Sequence, residues 1–553
     1  MRFNRDIGGK EYKMSAIVLL VIAAVVFLCA YLFYGSWLAK KWGFDPSRKT
    51  PAHEFNDGID YAPAKAPVLL GHHFSSIAGA GPIAGPIQAA VFGWLPVFLW
   101  VVIGSIFFGG VHDMGALFLS VRNKGKSLGE SIGISLGKTG RILFSAFSWL
   151  TLLLVVAAFA NIVANTFVAS PAAATASMLF MILAVAFGLY VYRGGGNLVI
   201  GTVVGVIGMI VSIWLGNKFP LALSAQIWMY ILLAYIFIAS VAPVWILLQP
   251  RDYLNSYLLY AMIIGGVIGI IIYNPTLVAP AVTSFTIGEG PGAQYMFPML
   301  FVTVACGAIS GFHSLVGSGT TSKQLDNEKD MKLVGYGSML IEGLLAVVSV
   351  ITIAYVAKGE GTPVQIFANG VGTFMTSFGV PMEFGVNFTS LAISAFALTS
   401  LDTATRLARF IFQEAFTKEG SGEKESKNIL TNRYVSTAIT VAIAGWLGFG
   451  GYSAIWPIFG SANQLLAALA LIALAVALKE MGKTYQMIVV PMIFMFIVTI
   501  TALGFLINTH LTSGNYILLF FGIALMILAI ILAFMAYKAF NRKTSLEQSE
   551  TGK

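Results

Sequence analysis

From residue 71 to residue 88 the sequence runs Gly-His-His-Phe-Ser-Ser-Ile-Ala-Gly-Ala-Gly-Pro-Ile-Ala-Gly-Pro-Ile-Gln. Glycine and proline interrupt helices and leave backbone groups without partners inside the helix. In the hydrocarbon of a bilayer such groups must be satisfied, so a broken segment persists only inside protein or along a cavity. The stretch predicts a broken membrane segment that lines a substrate path. The alternative is a re-entrant or tightly packed helix whose glycines only allow close contact.

The composition of the whole chain is that of a membrane protein. Of its 553 residues, 57% are hydrophobic and 10% are charged, and the mean hydropathy is +0.83. Soluble proteins carry about 25% charged residues, so we predict an all-α polytopic protein embedded in a lipid bilayer. The net charge of +9 does not indicate a nucleic-acid partner, because the Lys and Arg residues lie in short loops between apolar spans.

A helix needs about 20 apolar residues to cross a bilayer. By that measure the sequence predicts about fifteen spans in a single domain over 1–553, with a short tail from about residue 541. The spans lie near 14–38, 67–90, 94–120, 142–168, 175–192, 197–216, 224–248, 257–278, 297–322, 333–357, 384–412, 434–450, 455–478, 485–508 and 515–538.

The distribution of Lys and Arg predicts the orientation. Strict alternation of the later spans places the basic loops on one side, which the positive-inside rule makes cytoplasmic. The C-terminus is then cytoplasmic as well. The start of the chain stays open, because basic residues flank the first span on both sides. Either the N-terminus lies outside and 67–90 crosses the membrane, or it lies inside and 67–90 is re-entrant.

Three acidic residues, Asp113, Glu342 and Asp402, fall inside apolar spans. Charge in a membrane is costly, so such residues indicate function. Burial favours the protonated form of a carboxyl group, so Glu342 is a candidate proton carrier; a glutamate that only joins two helices is the alternative. Asp402 has Arg406 one helical turn later, so a structural ion pair competes with a role in coupling.

Small and polar residues form two further patterns. Residues 305–323 make a second interrupted span, and residues 399–406 repeat its three- and four-residue spacing of hydroxyl side chains. Such stripes can coordinate Na⁺ or hydrogen-bond a carboxylate, and helix packing is the alternative. The segments 126–130 and 248–253, which combine basic residues with acids, are interpreted as helix ends or as an inner gate of Arg–acid pairs.

Four of the six histidines, His72, His73, His112 and His313, lie at these membrane sites. Histidine titrates near neutral pH, which suits proton coupling. His72 and His73 are adjacent and point to different faces of a helix, and the usual metal-ligand spacings are absent. We therefore expect no metal site and no other cofactor. The sequence contains no P-loop, which argues against ATP-driven transport.

The motifs together resemble one family. Residues 71–87 closely resemble the signature of the carbon starvation protein A (CstA) family. Four further motifs extend the resemblance in order over most of the chain: Leu-Leu-Gln-Pro-Arg-Asp-Tyr-Leu-Asn at 247–255, the segment 305–323, Thr-Ser-Leu-Asp-Thr-Ala-Thr-Arg-Leu-Ala-Arg-Phe at 399–410 and Trp-Pro-Ile-Phe-Gly-Ser-Ala-Asn-Gln-Leu-Leu-Ala at 456–467.

The resemblance implies a secondary transporter of the plasma (inner) membrane that takes up small nutrients when preferred carbon is scarce. Family members are associated with proton-coupled pyruvate uptake and with peptide uptake. They are grouped with the amino acid–polyamine–cation superfamily, which implies a LeuT-like core of inverted repeats with broken helices, plus extra helices.

Two repeat registers are open. In the preferred register 67–90 pairs with 224–248 and 297–322 is an ion-site helix; in the other, 297–322 is the second broken helix and 384–412 is the ion-site helix.

The resulting hypothesis is alternating-access import of pyruvate or of di- and tripeptides by cation symport, with H⁺ or Na⁺ as the coupling ion. The predicted substrate contacts are His72, His73, Ser75, Ser76, Gly79, Gly81, Ser310, His313 and Ser314. The residues predicted for cation coupling are Asp113, Thr320, Thr321, Glu342, Thr399, Asp402 and Thr403. A nutrient sensor and a Na⁺-coupled transporter of another organic solute are the alternatives. We expect no enzymatic activity, because no nucleophile–base set is evident.

Overall fold

The computed structural model describes residues 15–57, 61–243, 248–357, 359–416 and 428–541. Most of these residues are helical, as expected for apolar segments that must satisfy their own backbone groups in a bilayer. The prediction of an all-α polytopic membrane protein is confirmed.

The helices are numbered in chain order. The first twelve are α1 (Ala16–Cys29), α2 (Ser36–Trp42), α3 (Pro51–Glu54), α4 (Ala66–Ile77), α5 (Gly81–Ala89), α6 (Trp94–Gly104), α7 (Gly110–Arg122), α8 (Leu128–Ala169), α9 (Pro171–Gly188), α10 (Leu198–Lys218), α11 (Ala225–Val241) and α12 (Leu248–Tyr273). They are followed by a two-stranded antiparallel pair, β1 (Thr286–Ile287) and β2 (Gln294–Tyr295), and by α13 (Met296–Val304), α14 (Gly311–Gly319), α15 (Ser338–Val356), α16 (Pro363–Met375), α17 (Met382–Phe416), α18 (Arg433–Gly448), α19 (Tyr452–Glu480), α20 (Gln486–Ser513) and α21 (Tyr516–Phe540).

The predicted number of spans is higher than the number of single helices that are long and apolar enough to cross a membrane. Among the described residues, 12 helices are long and apolar enough to cross a membrane, against the predicted number of about fifteen. The three predicted segments that do not qualify are 67–90, 224–248 and 434–450. The first is divided into α4 and α5, and the other two correspond to the shorter helices α11 and α18. Counting apolar residues does not detect such breaks and short helices.

The centre of the molecule is formed by the second interrupted segment and by α19. In the most apolar parts of 296–323 and 454–480, 89% and 94% of the residues are buried. The corresponding fractions for 198–218 and 516–540 are 28% and 33%, so α10 and α21 expose apolar side chains outward. Exposed apolar helices at the periphery are expected where lipid replaces water as the solvent.

Segment 66–92 crosses from one face of the molecule to the other. At its start, the Ala64 amide donates to the Gln324 carbonyl at 2.9 Å. At its end, the Leu95 amide donates to the Ala281 carbonyl at 3.0 Å. Residue 324 follows segment 296–323, and residue 281 lies in the loop before it, where the Met296 amide donates to the Phe285 carbonyl at 2.8 Å. Segment 296–323 therefore runs antiparallel to 66–92. We call the end with loops 123–127, 324–331 and 481–485 the basic face, and the end with residues 275–295 the opposite face.

The ends of the described chain lie on different faces. The Ala16 amide donates to the Pro275 carbonyl at 2.9 Å, so α1 begins at the opposite face. The Lys479 ammonium donates to the Phe540 carbonyl, so α21 ends at the basic face. Of the two topologies left open by the sequence, the structure has the one in which 67–90 crosses the membrane and the N-terminal side lies away from the basic loops.

The chain contains two similar series of helices. The broken pair α4–α5 is followed by the long segment 94–122, and α8 then joins a short helix to a long one across a kink at Gly137. The broken pair α13–α14 is likewise followed by a long segment, 332–356, by the short α16 and by the long α17. The two long helices α8 and α17 pack against each other, while α12 packs on α4 and α19 packs on α14. This is an inverted-repeat core.

The preferred repeat register is wrong. The partner of 66–92 is the broken segment 296–323, whereas α11 in the predicted partner 224–248 is a continuous helix. The predicted register, which paired 67–90 with 224–248, was wrong because it assumed five helices per repeat. In the structure α10 and α11 come between α9 and α12, the helix that packs on the first broken pair.

Candidate transport site

The two broken helices cross in direct backbone contact. Helix α4 ends at Ile77 and α5 begins at Gly81; α13 ends at Val304 and α14 begins at Gly311. A Cβ atom on Gly81 would lie 2.6 Å from the Cys306 Sγ, and one on Gly85 would lie 2.2 Å from the Val304 carbonyl oxygen. Side chains at these two positions would therefore push the helices apart. Gly81 and Gly85 of the 71–88 stretch are explained by this crossing.

The second break is satisfied by α19. The Asn463 side-chain oxygen accepts a hydrogen bond from the Phe312 amide at 2.9 Å, and its nitrogen donates to the Ser310 hydroxyl at 3.0 Å. The Gln464 side chain donates to the Phe301 carbonyl at 2.6 Å. Backbone groups freed by a break inside a membrane need such partners. Ser310, predicted to contact substrate, therefore takes part in a contact between helices.

The serines that precede the first break donate mainly to carbonyls of their own helix, while the Ser76 carbonyl accepts from the Ser400 hydroxyl of α17 at 3.2 Å. Ser75 donates to the Gly71 carbonyl at 2.6 Å and lies 3.2 Å from the Asp252 carbonyl. Ser76 donates to the His72 carbonyl at 2.9 Å. Ser314 in α14 likewise donates to its own helix, at the Gly311 carbonyl.

A group we call the arginine cluster consists of Tyr235, Arg251, Asp252, Asp402 and His72. The Arg251 guanidinium donates to an Asp402 carboxylate oxygen, to the Tyr235 hydroxyl and, at 3.1 Å, to Asp252. The Tyr235 hydroxyl also donates to Asp402 at 2.7 Å. The His72 Nδ1 lies 3.5 Å from the other Asp252 oxygen. Arg251, Asp252 and Asp402 are at most 2% exposed.

The partner of Asp402 corrects the simplest expectation for this residue. The sequence offered Arg406, one turn later, as an ion-pair partner, but the carboxylate is held by Arg251 from α12. The Arg406 guanidinium donates to the Ala239 and Ala242 carbonyls, at 2.8 and 2.7 Å. The 248–253 segment, interpreted as a helix end or an inner gate, thus supplies the positive charge of the site.

A second group, the histidine cluster, consists of His112, Asp113, Cys306, His313 and Glu342. The Asp113 carboxylate lies between the two histidines, 2.7 Å from the His112 Nδ1 and 2.8 Å from the His313 Nδ1. The other ring nitrogen of His313 lies 3.3 Å from a Glu342 oxygen. Every member is at most 3% exposed. Residues that the sequence divided between substrate binding and coupling are here in one contact network.

The four threonines predicted to bind a cation are divided among different contacts. The Thr321 hydroxyl is 2.8 Å from the His73 Nδ1, and the Thr399 hydroxyl accepts from the Asn255 amide at 2.7 Å. Thr320 and Thr403 line a cavity instead. Gly79, predicted to contact substrate, lies against Phe159 and Ser400.

That cavity has a volume of about 280 Å³ and extends from the basic face to the first break. Lys126 and Lys323 lie near its mouth, while His72, Ser76 and Asp252 lie at its inner end. Two of the predicted substrate contacts, His72 and Ser76, therefore line it. Because Asp252 is bonded to Arg251, the cavity ends beside the arginine cluster.

The residues of this site that are absent from the predicted set include Arg251, Asn463 and Gln464. Each of these three lies in a motif that carried the family resemblance, at 247–255 or 456–467. An arginine inside an apolar segment is a signal of the same kind as the buried acids. The 248–253 segment was interpreted as a helix end or as an inner gate of Arg–acid pairs, and Arg251 was assigned no role in binding.

Inverted repeats, two crossing broken helices and a cavity that reaches the first break define a membrane transporter with a LeuT-like core. The manganese transporter of Eremococcus coleocola, solved in complex with an aromatic bis-isothiourea substituted compound, has this fold. It aligns with a TM-score of 0.50 at 12% identity, over 88% of this chain and 99% of that one.

Sequence comparison identifies the family. The family model "Carbon starvation protein CstA" matches residues 15–362 and 357–502. The "Peptide transporter CstA" of Campylobacter jejuni is 35% identical, over 88% of this chain and 80% of its own length. The "Pyruvate/proton symporter BtsT" of Escherichia coli is 32% identical, over 89% of this chain and 81% of its own length. The chain belongs to the carbon starvation protein CstA family, as the motifs indicated.

Proposed function

We propose that this transporter imports a small carboxylate-bearing nutrient, pyruvate or a short peptide, across the plasma membrane together with a proton when preferred carbon is scarce. The observation that carries the proposal is the end of the cavity beside the arginine cluster. A buried guanidinium with its fork of donors is suited to bind a carboxylate. The names of the relatives support both substrates, since pyruvate and peptides each carry a carboxylate.

The positive-inside rule supports an orientation with the basic face in the cytoplasm. In that orientation the C-terminal end of α21 is cytoplasmic and Ser15 lies outside. In the same orientation the 280 Å³ cavity opens to the cytoplasm, which supports an inward-open stage of alternating access.

Coupling follows from the charges of the arginine cluster. Arg251 contributes one positive charge, and Asp252 and Asp402 can each contribute one negative charge. When a proton neutralises Asp402, Arg251 loses one partner and becomes available to a substrate carboxylate. If a proton binds without substrate, Arg251 loses the Asp402 carboxylate and gains no replacement. If substrate binds without a proton, it adds negative charge to a buried site. Removing one partner of a buried ion pair costs about 3–5 kcal/mol, so the two ligands bind together.

A direct test measures which compounds compete for uptake and which ion gradient drives it. Purified protein in liposomes takes up radiolabelled pyruvate, with di- and tripeptides as competitors, while the pH gradient and the Na⁺ gradient are imposed separately. We expect uphill uptake with an inward proton gradient and none with a Na⁺ gradient at constant pH. If the peptides inhibit pyruvate uptake, a peptide substrate is supported. If they do not, pyruvate is supported. Uptake that follows only the Na⁺ gradient contradicts proton coupling.

A further inference from the structure

We propose that Cys306, His313 and Glu342 bind one transition-metal ion of the Zn²⁺ type. One ligand atom from each residue lies within 4.8 Å of the other two. Their relative exposures are 2%, 1% and 0%. The site is formed from the break between α13 and α14, from α14 and from α15, and it is separate from the arginine cluster.

The separation of the histidine and glutamate ligand atoms agrees with a metal site. The His313 Nε2 and the Glu342 Oε2 are 3.3 Å apart. In tetrahedral coordination with bonds of about 2.0–2.1 Å, two such ligand atoms lie about 3.3–3.4 Å apart. These two side chains therefore already have the separation of neighbouring ligands. The Cys306 sulfur supplies a third ligand and leaves a fourth position for an outside group.

In the described part of the chain, the nitrogen and oxygen ligand atoms lack other partners, whereas the Cys306 sulfur donates to the Ser310 hydroxyl at 3.4 Å and accepts from the Asn463 side-chain nitrogen at 3.6 Å. Within the described residues, the His313 Nε2 and both Glu342 carboxylate oxygens are buried and accept or donate no hydrogen bond. Burying polar atoms without partners is costly, and such groups in a folded protein call for an explanation. One ion at the point where they converge satisfies all three atoms.

The surroundings of His313 prepare it as a ligand. Its Nδ1 lies 2.8 Å from an Asp113 oxygen, and the second Asp113 oxygen lies 2.7 Å from the His112 Nδ1. A carboxylate on one ring nitrogen holds the proton there and leaves the lone pair on the other, which is the common arrangement behind metal-binding histidines. Asp113 is thus a positioning residue for His313.

The ligand types favour a borderline metal. Thiolate and imidazole select Zn²⁺, Co²⁺ and similar ions over Mg²⁺ and Ca²⁺, which prefer oxygen ligands. The ion would connect the broken helix to α15. Because a Cβ on Gly81 would lie 2.6 Å from the Cys306 sulfur, α5 covers the site, and exchange of the ion requires the broken helices to separate.

The test uses the purified full-length protein and measures metal binding without transport, so its outcome is independent of the proposed function. The protein is stripped of metal, incubated with Zn²⁺ or Co²⁺, freed of excess ion and analysed for metal content. We expect about one ion per chain and, with Co²⁺, a near-ultraviolet absorption band of thiolate-to-cobalt charge transfer.

Variants distinguish the ligands. C306S should lose the charge-transfer band, and D113N should weaken metal affinity about 10- to 100-fold by releasing His313. The matched control is C29S, which changes the exposed cysteine of α1 and should keep both the band and the metal content. Substoichiometric binding by the wild type, or a Co²⁺ complex without a thiolate band, would overturn the proposal even if a variant fails to fold.

Discussion

The arginine cluster and the histidine cluster are both buried and both carry acids, yet they differ in the partners of their charged groups and in their contact with the cavity. In the arginine cluster the guanidinium contacts two carboxylates and a hydroxyl, and it adjoins the cavity. In the histidine cluster the atoms that face each other, the His313 Nε2 and the Glu342 oxygens, have no hydrogen bond among the described residues. A guanidinium shared by two carboxylates beside a cavity can exchange one partner for a ligand. A histidine and a glutamate that face each other away from that cavity suit the proposed ion.

The largest effect is expected at the guanidinium. R251K keeps the charge but loses the fork of donors that contacts Asp402, Asp252 and Tyr235. We expect the initial rate of pyruvate uptake in liposomes to fall about 100-fold, the factor that corresponds to about 2.7 kcal/mol. R193K, at an exposed arginine, is the matched control and should retain the wild-type rate. Comparable rates for the two variants would exclude Arg251 from substrate binding.

The next effect separates coupling from binding. D402N replaces the carboxylate by a neutral side chain that resembles its protonated form, so the site behaves as if the proton were always bound. Accumulation driven by a proton gradient should fall about 10-fold or more, a loss of at least about 1.4 kcal/mol, while exchange of internal for external substrate continues. Uptake and exchange measured on the same liposomes check this.

An appropriate control is D326N, which changes an acid paired with His53 outside the spans. If D402N still accumulates substrate as well as D326N does, the coupling proton is carried elsewhere.

Metal removal tests the other cluster. A chelator should lower the apparent melting temperature of the wild type by a few degrees, because an ion present at 100 times its Kd contributes about 2.7 kcal/mol to stability. D402N should show the same decrease, since it lies in the arginine cluster, and C306S should show none. Equal decreases in wild type and C306S would mean that the chelator acts at another place.

The last prediction concerns the crossing of the two broken helices. G85A places a methyl group 2.2 Å from the Val304 carbonyl oxygen, so the helices must shift, at a cost of about 1–3 kcal/mol. The thermal stability of the purified protein measures this. G504A, where a Cβ would meet nothing within 4 Å, should be unchanged or slightly more stable. Equal stability of the two variants would show that the crossing tolerates a side chain.

Much of the fold was predictable because it depends on local composition. Apolar runs located the spans, and glycine and proline located the interruptions at 71–88 and 305–323. The repeat partner was not predictable by counting, since α10 and α11 are as apolar as the core helices and nothing in their composition marks them as additions. The predicted number of spans exceeded the number of long single helices for a related reason. A broken helix and an unbroken one have similar hydropathy.

The candidate site was predictable only in part. The sequence singled out Asp402, His313 and Glu342, because an acid or a histidine is conspicuous in an apolar segment. It paired Asp402 with the nearest base, Arg406, since spacing along a helix is the only geometry that a sequence displays. The observed partner, Arg251, is 151 residues away, and no local pattern connects them.

The sequence by itself determined that the chain is a polytopic helical membrane protein of the CstA family with two interrupted spans. These properties follow from hydropathy, from helix-breaking residues and from motifs that are contiguous in the chain. The tertiary structure alone decided that 67–90 crosses, that 296–323 is its partner, and that Cys306, His313 and Glu342 converge. Convergence of side chains depends on how helices pack, and packing joins residues whose separation along the chain carries no information about their distance in space.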